Sequence, residues 1–148
     1  MLWRLALLAA LSATGTATAA DEIARFEARG RFDDIKDSVV SAIEGRGLVV
    51  SAISQVGDML ERTGHDLGAN RRIYDKAVVL EFCSASVSRR MLEADPHQLV
   101  YCPYAIAVYN LPDTPGKVFV AYRRHPADRP VLAEVDSLLK GIVADALK

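Results

Sequence analysis

Residues 78–109, VVLEFCSASVSRRMLEADPHQLVYCPYAIAVY, decide how this chain folds. Two apolar runs, rich in β-branched and aromatic residues, bracket a segment with helical spacing, and each carries a cysteine at its edge. Cys83 falls at the exit of the first run and Cys102 at the start of the second. A strand, helix, strand path would return the chain and bring both sulfurs to the same end of a sheet. Within the helical segment Ser84 or Ser86 can cap, while Val87, Met91 and Leu92 can face inward. Asp95-Pro96 ends it, because a residue before proline is steered out of the helical region.

Working outward, a strand from about Tyr101 to Tyr109 and another from Lys117 to Arg123 are joined by NLPDTPG, a loose hairpin loop that makes them antiparallel neighbours. Beyond them Val131, Leu132, Val135, Leu138, Leu139, Ile142 and Ala146 form a wide apolar stripe, which predicts a C-terminal helix lying on one sheet face. Upstream, Tyr74 to Phe82 reads as a strand and Thr63 to Arg72 as a polar loop. Leu48 to Val56 reads as a further strand, with Gly57 opening a short helix through Arg62. Ile23 to Arg31 alternates as an edge strand. Phe32, Ile35, Val39, Ala42 and Ile43 then recur at helical spacing, with Asp33 or Asp34 as cap and Gly45 and Gly47 as stop. This order predicts an α+β domain: a largely antiparallel sheet of four to five strands with helices packed on one face.

The first twenty residues stand apart. Arg4 gives a positive start, Leu5 to Leu11 an apolar centre, and Ala17-Thr18-Ala19 a small-residue cleavage site, so residues 1–20 read as a secretory signal and 21–148 as one exported domain, periplasmic or secreted. The apolar stretch falls short of the roughly 20 residues that span a bilayer, and no later segment of that length is free of charge. Removing the leader takes away one basic and no acidic residue, leaving 17 Lys+Arg against 19 Asp+Glu. That balance recruits neither nucleic acid nor an anionic membrane. Two cysteines in an oxidising compartment are an even count and free to pair.

The segments FDDIKDSVVSAIEGRGLVVSAI, VVLEFCSASVSRRMLEADPHQ and CPYAIAVYNLPDTPGKVFVAYRRHP together resemble the family of the domain of unknown function 302, also called TT1751-like, from Phe26 to about Pro126. The YCP element resembles an exported branch of that family. The resemblance implies a small α+β fold, often homodimeric, with no established reaction. In the commoner family pattern a proline precedes the cysteine; here Cys102 precedes Pro103 and Tyr104 follows. On an alternating strand such a one-residue displacement turns the sulfur to the opposite face.

Three uses of the cysteines stay open. A Cys83–Cys102 disulfide would close a loop of about 20 residues, worth roughly 3 kcal/mol on a chain-entropy estimate. Two buried thiols would instead pack as small apolar groups. A ligand or redox centre would comprise Cys83, Cys102, Pro103 and Tyr104, as a binding or accessory domain or as a thiol-redox or sulfur-handling protein. For a soft metal the candidates are Cys83, Cys102, Met91 and His97, although the spacing is poor and the sequence requires no cofactor. His65 and His125 lie in loops and are expected to face solvent. Arg89, Arg90, Arg123 and Arg124 could converge on an anion, or simply form a solvated surface. Tyr101, Tyr104, Tyr109 and Tyr122 could line a pocket or a dimer surface. No nucleophile elbow or acid–base signature is present, so an enzyme is the less favoured reading. Candidate partners are a second copy, a small ligand or an envelope protein.

Overall fold

The structure, a computed structural model, describes residues 22–69, 71–126 and 128–148; the leader-like residues 1–20 lie outside these. Five strands, β1 (Ile23–Arg29), β2 (Val49–Ser54), β3 (Lys76–Cys83), β4 (Tyr104–Asn110) and β5 (Lys117–Arg123), form one sheet in the order β1-β5-β4-β3-β2. Every neighbouring pair is antiparallel. The α+β architecture read from the sequence is the one observed. Among the described residues the α-helices are α1 (Phe32–Glu44), α2 (Val56–Gly64), α3 (Ala85–Ala94) and α4 (Pro130–Ala146).

Alternation fixes which sheet face is buried. Val78, Leu80 and Phe82 of β3, Tyr104, Ile106 and Val108 of β4, and Val118, Val120 and Tyr122 of β5 point into one core. Val39 and Ile43 of α1, Met91 of α3 and Leu132, Val135, Leu139 and Ile142 of α4 close it. Tyr104 and Tyr109 are an odd number of residues apart, so they take opposite faces. Tyr104 and Tyr122 are core residues, whereas Tyr109 stacks on Phe119 at 5.3 Å and meets Tyr74 edge-on at 5.5 Å.

Several element boundaries differ from the sequence reading. Asp33 and Asp34 do not cap α1. Arg31 holds the N-cap position without a side-chain bond, the two carboxylates sit in the first turn, and Asp33 pairs with Lys76 Nζ at 2.9 Å. Val56 ends no strand; it begins α2. The chain from Pro96 to Tyr101, expected to lead straight into a strand, winds as a 3-10 helix capped by Asp95, whose Oδ1 accepts the His97 N–H at 2.9 Å. The next strand therefore starts at Tyr104, not Tyr101.

α2 adds no residue to the core cluster and instead lies over the start of β3. Gly57 makes that approach possible: a Cβ there would stand 2.8 Å from the Ala77 backbone nitrogen. Overpacking of this kind costs about 1–3 kcal/mol, against about 1 kcal/mol that alanine gains over glycine in a helix. Gly57→Ala is therefore expected to lower the urea midpoint. A rise instead would show α2 sliding freely on β3.

Candidate functional site

The two cysteines meet where β3 runs out and β4 begins. Phe82 pairs with Tyr104 in the ladder, so Cys83 falls opposite Pro103 with Cys102 one residue further along. Cys102 precedes the strand, at the C-cap of the 3-10 helix and at a cis peptide bond to Pro103. Strand alternation consequently does not govern it, and the expected turn to the opposite face does not follow. Its side chain is half-buried against the core, and Cys83 is exposed; both are free thiols.

Hydrogen bonds tie the pair to α3. Ser84 caps that helix, its hydroxyl accepting the Val87 N–H at 3.4 Å. One turn on, Ser88 Oγ accepts from the Cys102 thiol at 3.6 Å and shares a 2.9 Å bond with the Tyr104 hydroxyl. Burial pushes the Cys83 thiol above its ordinary value of 9.0. The neighbouring Cys102 pushes it the same way, by charge and as a hydrogen-bond partner, and the Tyr104 backbone N–H opposes them. Burial likewise raises the Tyr104 phenol, with Ser88 holding it down and the two sulfurs pushing it up. Cys83, Cys102, Ser88 and Tyr104 thus form one contiguous polar cluster at the edge of an apolar core.

The remaining candidates lie outside that cluster. Met91 is fully buried among core side chains, and His97 is an exposed residue of the 3-10 helix. No group of three His, Cys, Asp or Glu side chains suited to a metal occurs among the described residues. Arg89 pairs with Glu93 at 2.8 Å and Arg90 with Glu134 at 2.6 Å, so these two are neutralised locally. Arg123 and Arg124 are exposed at the end of β5, and the Arg124 N–H donates to the Glu22 carbonyl. A groove of about 300 Å³ lies between α2 and the approach to β3, lined in part by Leu60, Leu67, Arg71 and Tyr74. At about 3.4 Å per residue, the start of β3 is roughly 24 Å from Cys83. The groove and the thiols are separate features.

The sequence profile described as "Domain of unknown function DUF302" matches residues 25–146. The chain belongs to the DUF302 family. A crystal structure of an uncharacterized conserved DUF302 protein from Bacillus stearothermophilus superposes with a TM-score of 0.69 at 14% identity, covering 84% of this chain and 97% of that one. That likeness establishes the shared fold. Comparison with curated proteins returns no significant match.

Two parts of the site in this DUF302 domain escaped the sequence reading. Among the serines of SASVS, Ser88 carries one signal, its i, i+4 spacing from Ser84, which places it one turn on from the cap. His125 was expected in solvent and is instead half-buried, its ring 5.5 Å from that of Tyr101 and 6.5 Å from that of Tyr104. Its backbone N–H donates to Asp136 Oδ1 at 3.2 Å, and its buried Nδ1 has no hydrogen-bond partner. Burial lowers the imidazole below its ordinary 6.5; Asp136 opposes that shift and Arg123 assists it. The unfolded chain therefore takes up this proton first as pH falls. Stability carried by neutral His125 is complete above about pH 6.5 and is lost as pH falls from there through the folded value. Denaturation midpoints across that window should drop in the native DUF302 domain and drop less in His125→Gln.

Proposed function

We propose that this DUF302 protein is an extracytoplasmic accessory domain that exchanges thiols with disulfides through Cys83 and Cys102. The carrying observation is their placement: two thiols at one corner of the sheet, one exposed and one half-buried, with Cys102 close enough to help raise the Cys83 thiol. The leader-like segment around Arg4 and Leu5 to Leu11 supports a compartment in which such exchange takes place.

The chemistry needs a disulfide-bearing partner, RSSR. Cys83, the accessible sulfur, loses its proton and attacks one partner sulfur, forming Cys83–S–S–R and releasing the first thiolate. Cys102, after losing its own proton, attacks the Cys83 sulfur, closing the internal disulfide and releasing the second. The partner is reduced to two thiols, which take up the two protons, and the domain is oxidised by two electrons. Ser88 is placed to steady the second nucleophile: once Cys102 is a thiolate, the hydroxyl that now accepts its proton can turn and donate.

The test is equilibration of the reduced protein with glutathione disulfide and reduced glutathione at graded ratios, followed by acid quench and intact-mass measurement. The expected product is the internal disulfide, about 2 Da lighter than the dithiol. Persistence of a glutathione adduct on the native protein, or two untouched thiols at every ratio, would overturn the reading.

A further inference from the structure

We propose that the reduced pair is also a two-coordinate site for a soft monovalent d10 cation, with Cu(I) as the probe, held between Cys83 and Cys102. This rests on the same juxtaposition of sulfurs as the exchange reading, but not on their oxidation. Thiolates are the ligands that select Cu(I) over harder ions. A structural zinc site needs four donors, and the described residues offer no third His, Cys, Asp or Glu beside this pair. The deficiency that rules against zinc suits an ion content with two sulfurs.

The surroundings fit the charge that such binding creates. One Cu(I) displaces two thiol protons, giving a bis-thiolate complex with a single net negative charge. One of the two sulfurs already has a hydrogen-bonding side chain able to support that charge. The Ser88 hydroxyl, backed by the Tyr104 phenol at 2.9 Å, faces Cys102. Outer partners of this kind orient ligands and tune affinity. The apolar packing around Cys102 keeps water from serving as a further ligand on that side. Met91, the thioether expected to help, belongs to the core and is left out of the set.

The experiment is an anaerobic competition titration of the reduced full domain against a chromogenic Cu(I) chelator, with X-ray absorption on the loaded protein. The expected result is one Cu(I) per chain with two sulfur neighbours. Cys83→Ser and Cys102→Ser should each weaken retention at least 100-fold while keeping the native circular dichroism spectrum. Ser88→Ala should weaken it by about tenfold. Native protein retaining no more than a Cys83→Ser/Cys102→Ser double variant would overturn the proposal. So would retention surviving either single change, a third protein ligand, or one ion shared by two chains. The two readings part cleanly: a protein that forms the internal disulfide but releases Cu(I) to the chelator refutes this inference alone, and one that does neither refutes both.

Discussion

Cys102→Ser protein mixed with glutathione disulfide is expected to accumulate as a stable glutathione adduct at Cys83, where the native protein passes through that adduct to an internal disulfide. The expectation follows from the asymmetry of the pair. Cys83 is exposed, so an incoming disulfide is expected to meet it first, whereas Cys102 is half-buried. Removing Cys102 deletes the second nucleophile and leaves the first step intact, so the adduct has no internal exit. Cys83→Ser should give little adduct of any kind. Both reactions should be slow near neutrality, because burial and the adjacent sulfur keep Cys83 protonated above its ordinary 9.0. The adduct rate in Cys102→Ser should climb with pH as the thiolate fraction grows. That variant lacks one of the causes of the shift, so its rate should climb at lower pH than alkylation of Cys83 in the native dithiol. Quenched mass spectra against time and pH read all of this. Rapid adduct formation at Cys102 in Cys83→Ser would reverse the assigned order.

Phe82→Ala should be the most damaging single core change next to the site, costing about 3–5 kcal/mol in urea denaturation. Phe82 is fully buried, meets Tyr104 edge-on at 6.1 Å between ring centres, and immediately precedes Cys83. Its removal empties the centre of the core where β3 and β4 pair, and the surrounding sheet and helices can collapse into that space only in part. Tyr104→Phe keeps the ring and deletes the hydroxyl bonded to Ser88, so its cost should be nearer 1 kcal/mol. The two variants together separate packing from hydrogen bonding at one corner. Equal losses in the two would mean that the Ser88 bond, not the aromatic contact, holds it.

The sheet and most of its core were legible because the physics there is local and periodic. Lys117 to Arg123 was delimited from its apolar run and the hairpin loop before it, and the stripe from Leu132 to Ile142 identified the helix that covers the sheet. The ends of elements were harder, since capping depends on backbone direction: Asp33 has the chemistry of a cap, but the helix begins two residues too early for it to serve. At the site, the proximity of Cys83 and Cys102 could be read from two runs flanking a short helix. The orientation of Cys102 could not, because alternation holds only within a strand and Cys102 lies before β4, at the end of the 3-10 helix. His125 was misplaced for a related reason. A polar loop residue between arginine and proline looks solvent-facing, and only tertiary packing against two tyrosines shows it half-buried.

β2 pairs on one side only, its register slips between Val50 and Ala52, and Val49, the residue opposite Cys83, is 74% exposed. Such a border strand frays at lower free energy than the interior ladder of β3, β4 and β5. Peeling it back would bare the flank of Cys83 to a bulky polypeptide disulfide while the central sheet stays zipped. For a bulky partner, the room around this already exposed sulfur can thereby be tuned through β2 without touching either cysteine.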